Sequence, residues 1–288
     1  MSWPTRLSFS AAESDGLRAA AASWTVAALA DRRAQLTALD TACERMPRLR
    51  EVVDRLTTAV HRTGAVIAQG TPLDDSVLIM LAGALGEVTP VGNGSPPGRL
   101  VYDLVTGPDS PYDPEALPLH TDSVFEARPH PHMGLACVRP SPGGDGLTTL
   151  ARADRLAEAV AERDPHHLRL LQDPCFPFAK LRGGRADPDT AVRRSPVLRV
   201  EGDDVTVTFH GRHVREGMQL RPAAVDAEHR AALRTLEAVL AEPGFSTVVA
   251  LDRGDLLLTD NQRVLHGRTE VLPAAGERHV KRIKIWSD

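Results

Sequence analysis

Cysteine is scarce in this chain. Cys43, Cys137 and Cys175 are its only three, an odd and widely spaced set that builds no disulfide framework. Each reads as a small buried apolar side chain, and the set suits a reducing cytoplasm. Lysine is as rare: Lys180, Lys281 and Lys284 stand alone, so nearly all positive charge is arginine. We read that as a composition bias rather than a phosphate-binding surface. Long apolar runs are missing too. The alanine-rich stretch from Leu17 to Ala30 is too short and too interrupted to span a bilayer, and the first six residues lack the basic and apolar regions of a secretory signal. An excess of positive charge is also lacking. The 34 Lys plus Arg against 38 Asp plus Glu give a net charge of -4, which argues against broad nucleic-acid binding. The expectation is a cytoplasmic protein whose partner is a small molecule, with no nucleic acid and no membrane. The oligomeric state is open, a homodimer included.

What is present is ordinary for a globular protein: 288 residues, 42% hydrophobic and 25% charged. That length suits one large β domain with helical additions. Ser10 and Glu13 form a capping box, so a helix is expected over about residues 10–33. A second, over 48–61, places Leu49, Val52, Val53, Leu56 and Val60 on one face. A short strand at 64–68 and a helix from Asp74 toward Gly86 follow. From Leu100 the apolar period falls toward two. Strands are expected at 132–138, 147–150, 197–200, 205–209, 247–251, 255–259, 264–267 and 279–286, with helices at 154–163 and 226–241. Loops at 106–118 and 183–194 are candidate lids. Many short strands broken by few helices fit a jelly roll. The expected fold is α+β, mainly β: a double-stranded β-helix (jelly-roll) core with flanking N-terminal and inserted helices. One catalytic domain is expected over 1–288, with about 1–63 as an outer helical part.

The chemistry concentrates in two places. His120-Thr121-Asp122 is answered far downstream by His266, within the run from Asp260 to Arg268. Two imidazoles and a carboxylate are the donor set that binds Fe(II) on one face and leaves three positions open. His120 and Asp122 alternate along a strand or its end and so share a side. Arg278 follows His266 on a strand-like segment, where an arginine pairs bidentately with a dicarboxylate. Arg282, two strand periods on, faces the same side; Lys281 and Lys284 are read as solvent-facing. Phe125 and Glu126, just after the metal motif, are placed to line the entrance. His130, His132, His166 and His167 lie among prolines or at a polar helix end and are set aside as ligands.

From about Gly64 to Trp286 this order of motifs resembles the Fe(II)/2-oxoglutarate-dependent dioxygenases, more narrowly the taurine dioxygenase and clavaminate synthase-like family. The resemblance implies that His120, Asp122 and His266 are the catalytic facial triad, and that Fe(II), 2-oxoglutarate and O2 take part. Asp122 sets the chain apart from halogenating variants, which lack that carboxylate. Arg278 would bind the distal carboxylate of 2-oxoglutarate, with Arg282 touching co-substrate or substrate. Relatives often carry threonine after Gly-Gly-x; here that position is Gly146, so Thr149, ahead of Thr148, is expected to supply the hydroxyl. Arg212 and His213 sit where relatives place substrate-binding residues, and Asp260-Asn261 is a supporting turn. The implied reaction is hydroxylation of a C–H bond in a small polar substrate, an amino acid or natural-product intermediate. Desaturation, cyclisation or epoxidation on the same iron is the alternative. A non-oxidative jelly-roll metalloprotein and a ligand-sensing module are the readings from other classes.

Overall fold

The computed structural model describes residues 3–90, 99–106, 114–182, 185–186, 192–272 and 277–287. The N-terminal part holds β1 (Thr5–Ser8), α1 (Ala11–Ala21), α2 (Arg32–Arg45) and α3 (Pro47–Thr63). Next come β2 (Ala65–Gln69), α4 (Asp75–Ala82), β3 (Glu87–Thr89) and β4 (Val101–Thr106). The centre holds β5 (Leu117–His120), β6 (His132–Arg139), β7 (Thr148–Arg152), α5 (Ala153–Arg163) and α6 (Pro165–Leu171). Short ribbons follow: β8 (Phe176–Phe178), β9 (Leu181–Arg182), β10 (Arg185–Ala186), β11 (Arg193–Ser195), β12 (Leu198–Glu201) and β13 (Asp204–Val207). After α7 (Gly211–Leu220) and α8 (Ala227–Leu240) the chain ends in β14 (Thr247–Val249), β15 (Leu256–Asp260), β16 (Val264–Arg268) and β17 (Arg278–Trp286).

Two sheets organise these elements. The seven-stranded one runs β1-β2-β15-β6-β17-β3, with β4 also on β17; the four-stranded one runs β14-β7-β16-β5. Alternation along the strands gives each sheet two buried faces. Ile67, Met133, Leu135, Leu257 and Val280 of the large sheet meet Leu150, Val249 and Val264 of the small one, so the sheets pack face to face. On the outer side of the large sheet, Val66, Ala68, Leu256, Leu258, Ile283 and Ile285 cluster with residues of α1 to α4. On the outer side of the small sheet, Ala151 and Leu265 join Leu156, Val160, Phe176, Phe178 and Leu236. No helix among the described residues is long and apolar enough to cross a membrane.

The helix expected over 10–33 divides. Its capping box forms, with Ser10 accepting from the Glu13 amide and Glu13 accepting from the Ser10 amide, but α1 stops at Ala21. Ser23, Thr25 and Val26 are poor helix formers, and Asp31 restarts the chain by accepting from the Ala34 amide at 2.9 Å. The resulting α2 buries Gln35 completely. Its side-chain NH2 donates to Leu29 O (3.0 Å) and Val88 O (2.9 Å), and its oxygen accepts from Val88 N (2.8 Å). Gln35→Ala strands these backbone groups in an apolar interior and is expected to cost about 3 kcal/mol in urea unfolding. A loss within about 0.5 kcal/mol, the surface-like range, would remove this bridge as a fastening of α2 to β3.

Candidate metal and co-substrate site

The register of β16 on β5 sets His266 directly opposite His120, with ring centroids 4.3 Å apart. Asp122 follows just past the end of β5. One ligand atom from each of these three side chains lies within 4.8 Å of the others. His120 Nδ1 bonds Pro118 O at 2.9 Å, and a carbonyl only accepts, so Nδ1 carries a proton and Nε2 is the atom turned to the cluster. That Nε2 lies 3.7 Å from Asp122 Oδ1. His266 Nδ1 is buried with no hydrogen-bond partner. Burial pushes the His266 pKa down to about 3, and the neighbouring His120 adds to the shift, so the ring is neutral. For Asp122 burial acts in the opposite sense to the charges. Arg282, with His120, His266 and Lys284 close by, outweighs it and holds the carboxyl well below the usual carboxylate range. Two imidazoles and an anionic carboxylate converging in a buried site are a donor set that suits a divalent metal, so the residues fit Fe(II).

Asn261 fixes the ligand loop. Its side-chain oxygen accepts from Asp122 N at 2.8 Å, and its NH2 donates to Asp122 O (3.1 Å) and His130 O (2.8 Å).

The site opens into a cavity of ≈1590 Å³ between the sheets. One strand, β17, presents Arg278, Val280, Arg282 and Lys284 to it, all of one parity. Arg278 is buried, and none of the described residues makes a salt bridge or side-chain hydrogen bond to it. Burial, with Arg268 nearby, lowers its pKa to about 10. Gly146 makes room for this side chain. It adopts φ +61, and a Cβ there would lie 2.9 Å from Arg278 Cδ and 2.8 Å from Val271 Cγ2. A threonine at 146 would crowd that space. Gly146→Thr is expected to weaken 2-oxoglutarate binding at least about tenfold, read from the KM for the co-substrate. An unchanged KM would show that Arg278 does not need this path.

The two threonines face opposite ways, and the one toward the cavity is not the one the sequence favoured. Leu150 pairs with His266 and Thr148 with Arg268, so Thr148 shares the inner face of the small sheet. Thr148 lines the cavity, whereas Thr149 pairs with Gly267 on the other face and does not. The lysine reading needs a second correction. Lys284 is buried in the cavity wall, and Lys281 is half-buried on the opposite side, paired with Asp75 (2.6 Å) and Asp103 (3.4 Å).

Arg282 reaches Asp122 Oδ2 at 3.5 Å, and its Nε is buried without a hydrogen-bond partner. Phe125 and Glu126 line the cavity as expected from their place after the motif. Arg212 and His213 also line it, but from the first turn of α7. His213 Nδ1 bonds Glu216 (2.8 Å) and Ala179 O (3.0 Å), and its ring meets Phe125 edge-on at 4.8 Å. Arg212 is exposed at the rim and pairs with Glu216 at 2.8 Å. His130 is buried but bonded to Ser123 (3.1 Å) and Thr89 (3.0 Å), outside the metal cluster. His210 carried no signal in the sequence. Reciprocal bonds between Thr121 and Phe209 bring its ring to 4.7 Å from His120, where burial first and His120 second depress its pKa. The candidate lids at 106–118 and 183–194 lie largely outside the described residues.

Comparison with known proteins follows this geometry. The model of the family described as "Taurine catabolism dioxygenase TauD, TfdA family" matches residues 38–284. The chain is 28% identical over 230 residues to gamma-butyrobetaine dioxygenase of Pseudomonas sp. (strain AK-1), covering 77% of this chain and 56% of that protein. It is 26% identical over 271 residues to enduracididine beta-hydroxylase of Streptomyces hygroscopicus, covering 76% of each. The chain spans about half the length of the gamma-butyrobetaine and trimethyllysine dioxygenases it matches. Two solved structures share its fold at 19% identity, each covering 98% of this chain and 94% of the other. One is the non-heme iron oxygenase OrfP with Fe, succinate and (3R,4R)-dihydroxy-L-Arg, at a TM-score of 0.72. The other is asparagine oxygenase with Fe(II), 2S,3S-3-hydroxyasparagine and succinate, at 0.73.

Proposed function

The chain belongs to the TauD/TfdA dioxygenase family, and from that premise we propose that it is an Fe(II)- and 2-oxoglutarate-dependent oxygenase hydroxylating a C–H bond of a small amino-acid-type substrate. The observation that carries this is the buried Arg278, which has no counter-charge among the described residues and stands on the cavity wall shared with the His120, Asp122 and His266 cluster. A desolvated guanidinium is costly alone and is offset by a bidentate carboxylate. On this reading the two stacked sheets are a double-stranded β-helix, residues 1–288 are one catalytic domain, and about 1–63 are its outer helical part. The free cysteines fit a cytoplasmic protein, where Fe(II) persists.

His120, Asp122 and His266 are the residues that would hold the metal. Bound Fe(II) supplies oxygen activation coupled to decarboxylation of 2-oxoglutarate to succinate. Arg278 clamps the distal carboxylate, and Thr148 stands on the same inner face to donate its hydroxyl. Arg282 offers its unpartnered Nε to a substrate carboxylate, and Phe125, Glu126 and His213 shape the rest of the pocket. The amino-acid class is supported by the relatives' names, which include an enduracididine hydroxylase and an asparagine oxygenase.

The test is anaerobic visible absorption while Fe(II) and then 2-oxoglutarate are added. A weak charge-transfer band that needs both and is lost in His266→Ala is expected, followed by substrate-dependent succinate release in a screen of amino acids. Iron binding without any band on adding 2-oxoglutarate would remove the co-substrate and leave a non-oxidative metalloprotein.

A further inference from the structure

Ser123 stands directly after the metal ligand Asp122 with φ +62, and among the described residues it is the one non-glycine with a positive φ. A side chain with a Cβ disfavours that region, so the surroundings must hold it there. A chain of hydrogen bonds does so. Lys284 Nζ has only protons to give and donates to Ser123 Oγ at 2.7 Å. The Ser123 hydroxyl is then free to donate to His130 Nδ1 at 3.1 Å. The other nitrogen of that ring donates to Thr89 Oγ at 3.0 Å. Thr89 is the register partner of Lys284 across β3 and β17, so the chain begins and ends on neighbouring strands of one rigid sheet. Glu126 supplies the counter-charge, 3.5 Å from Lys284 and 3.4 Å from His130. Burial first and Lys284 second push the His130 pKa down to about 4, which keeps that ring neutral as the chain of donors requires.

We infer that Lys284 is a positioning residue for Asp122: by fastening the left-handed Ser123 to β17 it aims the preceding carboxylate at the other two ligands. Asn261 holds the Asp122 backbone from one side, and Lys284 holds the next residue from the other. Lys284 makes no hydrogen bond to Asp122 itself, so its positioning effect passes through Ser123, beside the lesser direct effect of its charge on the carboxyl. Burying an ammonium has a cost that a surface lysine avoids, which is why a purely decorative role is a poor account of it.

The inference rests on the metal reading above, and the experiment separates the two. Co(II), a probe for the Fe(II) site, is titrated into wild type, His266→Ala, Lys284→Met, Ser123→Gly and the Lys284→Met/Ser123→Gly double variant. The d–d absorption band gives Kd, and circular dichroism checks the fold. Lys284→Met is expected to raise Kd roughly 10- to 100-fold, the usual effect of removing a partner that orients a ligand. Glycine adopts the left-handed region freely, so Ser123→Gly should make Lys284 dispensable and return most of the lost affinity in the double variant. An unchanged Kd in Lys284→Met, or no recovery in the double variant, overturns the inference. Should Lys284→Met fail to fold, Ser123→Ala keeps the backbone cost and removes the acceptor; it should show the same weakening, and an unchanged Kd there overturns the inference equally. A wild-type protein that takes up no Co(II) removes the metal reading, and this inference with it.

Discussion

Asp122→Ala is expected to abolish substrate-dependent succinate formation and to weaken Fe(II) binding well beyond the roughly 100-fold that loss of an orienting partner produces. The carboxylate is the only anionic donor in the cluster of three, and its pKa is held down chiefly by the charge of Arg282, with Lys284 adding to it. Removing it does two things at once. Two imidazoles on adjacent strands would be left to hold a metal, too few to fix one face. Arg282, 3.5 Å from the lost carboxylate, also remains in a largely buried wall without its anion. Breaking such a pair by removing one partner costs about 3–5 kcal/mol when the pair is deeply buried, and less here because Arg282 keeps some contact with the cavity. The metal-free variant should therefore also melt below wild type. Metal content after anaerobic reconstitution and a thermal melt of the apo-protein check both effects. Iron binding at wild-type affinity in Asp122→Ala would show that the ligand set is not this one.

The metal cluster was legible because its chemistry lies in residue types and their order. His120 and Asp122 are two apart, His266 lies on a β-patterned run, and the structure brings their ligand atoms within 4.8 Å. What the sequence withheld was register and parity across strands. Thr148 and Thr149 are equivalent until the pairing of Leu150 with His266 decides which one faces inward. Lys284 was open to the same reasoning as Arg282, since 278, 282 and 284 share parity on one strand. The bias that a lysine belongs in water prevailed there, and the buried chain to Ser123 and His130 is what overrides it. The helices missed have a different cause. In α7, Gly211 and Gly217 read as breakers, yet a Cβ at 217 would sit 2.1 Å from Pro177 O, so the glycine is what lets α7 lie on β8. In α2 the buried face is Gln35, Ala38, Leu39, Ala42 and Cys43, mostly small or polar, which leaves little apolar stripe to see. His210 arrives beside His120 through the bonds between Thr121 and Phe209, a contact across 88 residues that no local pattern encodes.

Arg278→Met should separate function from stability, moving them in opposite directions. In the apo-protein the guanidinium is buried, lowered to a pKa of about 10 by its surroundings, and without an anionic partner among the described residues. Such a group is a liability to the fold, because its desolvation is not offset. A shorter, unbranched apolar side chain removes that cost, so apo Arg278→Met is expected to melt at or above the wild-type Tm. On the proposed reading, the same change deletes the bidentate partner of the co-substrate's distal carboxylate. Loss of one member of a buried, hydrogen-bonded charge pair is worth about 2–5 kcal/mol, or roughly 30- to several-thousandfold in affinity. The KM for 2-oxoglutarate should rise by at least about 30-fold, and the Tm increase that Fe(II) with 2-oxoglutarate gives wild type under anaerobic conditions should largely vanish. A lower apo Tm together with a preserved 2-oxoglutarate shift would make Arg278 a structural residue and place the co-substrate elsewhere. The expected pair of results instead marks a position where the fold tolerates a destabilising charge because the bound dicarboxylate neutralises it, the trade of stability for activity that active sites make.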